Sequence, residues 1–343
     1  MKKILLIRAN KTKFGGAEIY LSRLANQLQE DNIECEIVNS IFPNFLPSWL
    51  RVLLFNLQIC LRKKDGLYFS LDRISCPDIY RSGDGVHKKF LSIEKKSKFN
   101  LLHPIYLFIE NRTYKNAHRI IAISNMVKND IVSSYDVNPD KIHVVYNGIN
   151  LKEVNYESSS TKIKAEFDIK LEEKVILFVG SGFKRKGVDE FIQIINELRD
   201  YKFKAFIVGK DKNLSLYKRK ISALELDHKI IFTGPRGDVA DFYTIADLFI
   251  FPTHYEPFGN VILEAMHHEN VVITTRQCGA SELLNQKYIM EHPKDFSIIH
   301  TIKELFENQE ILKKNKKFNQ KIALNFGIAE NAKQTLKIIE EII

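Results

Sequence analysis

Five short apolar runs set the frame. KVILFVG (174–180), KAFIVG (204–209), KIIFTG (229–234), LFIFPT (248–253) and VVITT (271–275) recur at helix-sized intervals. Between them lie segments of helical period, such as Val188, Phe191, Ile192, Ile195 and Leu198. Strands that are apolar on both faces and alternate with helices require a parallel sheet covered on both sides. The first half shows the same rhythm in KILLI, IECEIVN, GLYFSL, RIIAIS and KIHVVYN. A chain of 343 residues, 45% hydrophobic, supports two such cores. The expected fold class is α/β, with two Rossmann-like doubly wound domains. Residues 151–173, with a Ser run and many charges, lose the apolar period and read as a linker. The expected domains are 1–155, 156–327 and a closing helix, 328–343.

Ligands of such sheets bind at the carboxyl ends of the strands, so the loops there are where chemistry is sought. In KTKFGGAE, Gly15 and Gly16 separate the first strand from its helix. Paired glycines admit either an anion at the helix N-terminus or a tight turn, and the two readings stay open. In VGSGFKRKGVDEF, Lys184, Arg185 and Lys186 precede a helix starting near Gly187. Cations there oppose the helix dipole, which is sensible if a diphosphate lies between them. In HYEPFGNVILEAM, Pro257 suits a first helical turn, and amides from Phe258 through Gly259 and Asn260 to Val261 offer donors. Glu264 follows Asn260 by four residues on one face, and Glu256 stands in the loop ahead. Two carboxylates so placed can grip a polyhydroxylated ligand. The alternative is a helix-start acid plus a solvated glutamate.

RSGDGVHKKF puts Asp84 and His87 in a Gly-flanked turn, suited to an acceptor hydroxyl or merely to an Asp-Gly turn. Residues 88–119 carry eight Lys/Arg against Glu94 and Glu110, interleaved with Phe90, Phe99, Leu101, Tyr106 and Phe108. An anionic membrane surface fits that pattern, as does a buried helix with a solvated basic face. No nucleic-acid-binding motif is visible, so no nucleic-acid partner is expected. The net charge of +9 is compatible with a phosphorylated ligand. Four cysteines without CxxC spacing read as free thiols, and no signal peptide is expected at the start. Asp-x-Asp and zinc spacings do not occur, so no metal is expected.

GFKRKGVDEFI, VGKD, FTGPRGDVADFYTIADLFIFPTHYEPFGNVILEAM and CGASELL, with GGAE and IIAISNMVKNDI earlier, resemble glycosyltransferase family 4. These are retaining enzymes of the GT-B fold. Within the family the chain is most similar to lipopolysaccharide-core α-glucosyltransferases acting on inner-core heptose. The resemblance implies a hexosyltransferase using a nucleotide sugar, UDP-glucose, as substrate with no cofactor. Arg185 and Lys186 would hold the diphosphate and Glu264 the ribose. Glu256 would meet the donor sugar, and Phe258, Gly259 and Asn260 the sugar and phosphate. Gly16 would approach the diphosphate, Arg236 would border the base, and Asp84 or His87 would lie near the acceptor. The partners implied are the nucleotide sugar, a lipid-linked or lipopolysaccharide glycan, and the membrane through residues 88–119. The protein is then cytoplasmic, peripheral on the inner membrane face. A nucleotide-sugar epimerase of the same fold and a non-catalytic nucleotide-sugar-binding subunit are the competing readings.

Overall fold

The computed structural model describes residues 3–11, 16–30, 32–61, 63, 66–94, 100–151 and 153–342. Gly15, and Lys95, Lys96, Lys98 and Phe99 of the basic stretch, lie outside the described residues. The chain forms two compact units, residues 1–147 with 328–343, and residues 148–327.

The first unit is a six-stranded parallel sheet in the order β2-β1-β3-β4-β5-β6. Its strands are β1 Ile4–Ile7, β2 Cys35–Val38, β3 Leu67–Ser70, β4 Ile79–Ser82, β5 Arg119–Ala122 and β6 Ile142–Val144. Ile4 stands opposite both Cys35 and Leu67, so β1 is where the strand order reverses. The second unit repeats the plan in the order β12-β11-β10-β7-β8-β9. Here the strands are β7 Lys174–Val179, β8 Phe203–Val208, β9 Ile230–Gly234, β10 Leu248–Phe251, β11 Val271–Thr275 and β12 Ile289–Met290. The reversal falls between β7 and β10, paired at Leu248 and Ile176. Loops at such reversals open a crevice, which places the loops after β7 and β10 at the head of the second sheet. Phe178, Phe206, Phe249 and Phe251 are fully buried, and Phe178 meets Phe191 edge-on at 5.6 Å.

The expected linker contains a helix, Tyr156–Glu166. Asn155 caps it by accepting from the Ser158 amide at 3.1 Å. Ser159 donates to Asp241 at 2.6 Å, and Lys162 reaches Asp238 and Asp241 at 2.6 and 2.7 Å. Only Ser159 and Ile163 are buried, so a cap and ion pairs hold a helix that shows no apolar stripe. The unit boundary lies at 147/148 instead of 155. Ile149 already belongs to the second unit, donating its amide to the Phe326 carbonyl at 2.9 Å.

The helix Ile328–Glu340 packs in the first unit. Leu336, Ile338 and Ile339 join Leu21, Leu24 and Leu28 in one core, and Thr335 bonds the Tyr20 hydroxyl at 3.1 Å. The greasy segment near residue 50 is the helix Ser48–Leu61. No helix among the described residues is long and apolar enough to cross a membrane. The expectation of four free thiols is corrected. Cys60 and Cys76 form a disulfide across Cα atoms 5.7 Å apart, leaving Cys35 and Cys278 free. The end of a helix meets the loop between β3 and β4 there, a proximity that no local spacing reveals.

Candidate active site

After β7 the chain makes one helical turn, Phe183–Lys186, before the helix Val188–Glu197. The three cations therefore occupy their own turn, between Gly182 and Gly187, both left-handed at φ 78° and 84°. Phe183 anchors the turn, fully buried, with its amide donating to Asp211 at 2.8 Å. A Cβ at Gly187 would lie 1.9 Å from the Pro252 carbonyl oxygen, so only glycine lets the turn dock on the loop after β10. That docking is made by the Arg185 carbonyl, which accepts from the His254 amide at 2.9 Å and the Thr253 hydroxyl at 3.1 Å.

The docking brings Arg185 and Lys186 onto Glu256. Arg185 Nη1 donates to the Tyr255 carbonyl at 2.7 Å and to Glu256 Oε2 at 3.2 Å. Lys186 Nζ pairs with the same carboxylate oxygen and lies 5.1 Å from the Phe251 ring centre. Burial pushes the Lys186 pKa down, against the pull of Glu256. Two cations thus share one carboxylate, leaving a net positive charge at the carboxyl ends of β7 and β10.

Glu256 is fixed through its backbone. Its amide donates to the Gln277 carbonyl at 2.8 Å, and its carbonyl accepts from Gly279 at 2.9 Å. The Phe258 carbonyl accepts from Ala280 at 2.8 Å and from the Cys278 thiol at 3.1 Å. Residues 277–280 are thus a brace for the loop, a role that no spacing in the sequence signalled. The helix begins at Asn260, three residues later than Pro257 suggested, because Gly259 turns left-handed at φ 93°. A side chain at Gly259 would press within 3.0 Å of Cys278 Sγ and 3.2 Å of Glu256 Cγ. Phe258 is buried, and Asn260 and Val261 form the helix's first turn.

Glu264 lies on the next turn, half-buried and not a solvated surface acid. Tyr243 donates to its Oε2 at 3.0 Å. Burial pushes its pKa up while the Tyr243 bond lowers it. Arg236 stands apart from these groups. It bonds both oxygens of Glu166 at 2.8 and 2.9 Å and both of Asp238 at 2.8 and 2.9 Å. His254 reaches the buried Glu190 at 3.1 Å through Nε2.

In the first unit, Gly16 opens the helix Gly16–Glu30. The loop after β1 is tied by Arg8, which bonds Glu18 at 2.8 Å and Asp72 at 3.1 Å. Asp84 is 72% exposed and 4.0 Å from Arg73 Nη1. It lines a cavity of about 520 Å³ together with Asn10, Arg51, Asp72, Arg73 and Tyr106. His87 is not among the residues lining that cavity, although its ring packs on Tyr106 at 5.1 Å. Its Nε2 meets His103 Nδ1 at 3.1 Å, and burial, with Arg73 nearby, lowers its pKa to about 4. Of the two acceptor-side candidates, Asp84 faces the cavity. Glu110, read as one acid of a basic surface stretch, is fully buried. It accepts from Arg73 Nε at 2.7 Å and from the His87 and Lys88 amides at 2.8 and 3.2 Å. The stretch therefore turns part of itself inward, while Leu101 and Phe108 stay exposed. Among the described residues no three His, Cys, Asp or Glu side chains gather as a metal site.

Two doubly wound sheets, each with its polar residues in strand-end loops, define a protein of the GT-B class. Residues 159–323 match the model for glycosyl transferases group 1, and residues 85–153 that for Glycosyltransferase Family 4. The chain belongs to these glycosyltransferases. It is 26% identical over 270 residues to the lipopolysaccharide glucosyltransferase WaaG of Escherichia coli, covering 75% of this chain and 68% of WaaG. It is 27% identical over 252 residues to the N-acetylgalactosamine-N,N'-diacetylbacillosaminyl-diphospho-undecaprenol 4-alpha-N-acetylgalactosaminyltransferase of Campylobacter jejuni, covering 71% and 65%. The chain spans about half to two thirds of the length of the curated relatives it matches. The crystal structure of WaaG superimposes with a TM-score of 0.79 at 18% identity, covering 98% of this chain and 99% of WaaG. Anabaena Alr3699/HepE in complex with UDP-glucose gives 0.76 at 18%, with both chains fully covered. At that identity these structures speak for the fold.

Proposed function

We propose that the protein is a retaining, metal-independent hexosyltransferase. It moves glucose from UDP-glucose to a lipopolysaccharide-core or other lipid-linked glycan, at the inner face of the cytoplasmic membrane. The observation that carries this reading is the Arg185–Lys186–Glu256 cluster at the ends of β7 and β10, with Glu264 on the helix that follows.

The chemistry follows from the charges. As the glycosidic bond to the diphosphate breaks, the sugar gains oxocarbenium character and negative charge builds on the leaving group. Arg185, Lys186 and the Asn260–His267 helix N-terminus stabilise that charge from fixed positions. The diphosphate takes over the cations, which frees Glu256 for donor sugar hydroxyls. Glu264 takes the ribose hydroxyls, its other oxygen held by Tyr243. Gly259, which admits no side chain, lets sugar and phosphate approach the backbone from Phe258 to Val261. Asp84 of the first unit takes a hydroxyl of the acceptor. The leaving phosphate accepts the acceptor proton on the face where the new bond forms, which retains configuration. Arg236 borders the base from its Glu166–Asp238 network. Residues 88–119 bring the protein to an anionic lipid surface. A WaaG-like relative and a UDP-glucose-bound structural neighbour support the donor and acceptor classes.

The test is nucleotide release from a panel of UDP-, GDP- and ADP-sugars, with and without deglucosylated lipopolysaccharide core. Release from UDP-glucose that rises with core is expected. Turnover of donor without any acceptor would turn the reading to an epimerase. Tight donor binding with no release would turn it to a binding subunit.

A further inference from the structure

The cavity of the first unit contains a cation that the donor chemistry does not use. Loops after β1, β2, β3 and β4 converge there with the helix Ser48–Leu61 and enclose about 520 Å³. That volume suits one sugar residue with a substituent. Two charged residues of the lining, Arg73 and Asp72, are already engaged. Arg73 is held by Glu110 and by the Gly85 carbonyl at 2.9 Å. Asp72 accepts from Arg8 and, at 2.6 Å, from the Ala9 amide. Arg51 differs. Its Nη1 donates to Asn44 Oδ1, and no carboxylate partners it among the described residues. Its Nε–H is shut away from water with no acceptor. Arg51, Asp72, Asp84 and Tyr106 all line this one cavity.

A guanidinium with one desolvated, unanswered N–H is costly unless something completes it. Its planar fork matches phosphate and carboxylate oxygens. Asp84, largely exposed across the cavity, is suited to a neutral hydroxyl instead. We propose that the acceptor sugar carries an anionic substituent, a phosphate ester or a carboxylate, held by Arg51 while Asp84 takes a hydroxyl of the same sugar. The proposal rests on the glycosyltransferase reading only in treating this cavity as the acceptor's.

The test is a binding titration of the full chain, followed through the arginine Nε–H resonances, with glucose 6-phosphate, glucuronate, glucose and inorganic phosphate as probes. Glucose 6-phosphate or glucuronate is expected to shift the Arg51 signal and to bind at least tenfold more tightly than glucose. Arg51→Gln should abolish that preference, Arg51→Lys should keep part of it, and both should bind UDP-glucose like the wild type. The two anionic probes tell phosphate from carboxylate. Equal binding of glucose and its anionic forms overturns the proposal. So does an Arg51→Gln affinity within twofold of the wild type. Inorganic phosphate bound as tightly as the sugar phosphate overturns it too, because the cavity then reads a bare anion. Loss of UDP-glucose binding in Arg51→Gln overturns it by assigning Arg51 to the donor. Failure of the glycosyltransferase reading would show in nucleotide release, which this titration does not measure.

Discussion

Glu256→Gln is expected to bind UDP more tightly and to turn over more slowly. In the free protein Arg185 and Lys186 both donate to Glu256 Oε2. A diphosphate must displace that carboxylate before it can use the cations. An amide oxygen keeps the geometry but is a weaker acceptor, by about 1 kcal/mol per bond. Two bonds set a ceiling of about 2 kcal/mol, or about thirtyfold in affinity. The Arg185 side chain is 30% exposed, so solvent screens its share and about tenfold is expected. The turnover number should fall by about 10²-fold, the order seen when one preorganised transition-state contact is removed. The gain also has a pH dependence. Glu256 raises the pKa of Lys186, which burial lowers. Without Glu256 that pKa falls further, so the added affinity is largest in mildly acidic solution and fades as pH rises. Calorimetric UDP titrations across pH, beside donor turnover, measure both halves. UDP binding equal to or weaker than the wild type would refute the competition argument.

Gly187→Ala should lower the melting temperature by several degrees and cut donor affinity, because its Cβ meets the Pro252 carbonyl at 1.9 Å and φ is 84°. An unchanged melting curve would contradict the docking of the cation turn. Glu264→Gln should weaken UDP binding by about tenfold through the lost charged acceptor. It should also stabilise the fold at neutral pH. A carboxyl with a raised folded pKa favours folding below its ordinary range and loses that contribution as pH rises through the folded value. Melting curves of wild type and variant should therefore converge in acid. The protein should sediment with anionic liposomes, less at high salt, and neutralising Lys95, Lys96 and Lys98 should weaken this. Equal sedimentation with zwitterionic vesicles would sink the electrostatic account.

The strands were legible because their apolar runs are buried on both faces, a signal in adjacent residues. β12, with two residues, is too short to carry one. The helix Tyr156–Glu166 was hidden because, beyond the local Asn155 cap, Ser159 and Lys162 hold it through polar partners 76 and more residues away. At the site, Arg185, Lys186, Glu256 and Glu264 were all singled out from their loops. The pairing of Arg185 and Lys186 with Glu256 was not, since it depends on Gly187 seating one loop against another. The cavity residues Arg51, Asp72 and Tyr106 share no motif. They meet only because several strand ends converge, so nothing in their own neighbourhoods announced them.

The closing helix sets an order of events during synthesis. The second unit is one continuous stretch, 148–327, and all its parts are made before the Ile328–Glu340 helix. The first unit needs Leu336, Ile338 and Ile339 from the Ile328–Glu340 helix to cover Leu21, Leu24 and Leu28. At ~5–20 residues per second, the ribosome spends roughly 10–40 s between completing residue 147 and delivering that helix. For that interval the emerging N-terminal sheet carries a bare apolar seam, a surface for chaperones to shield. The unit begun first is the one finished last.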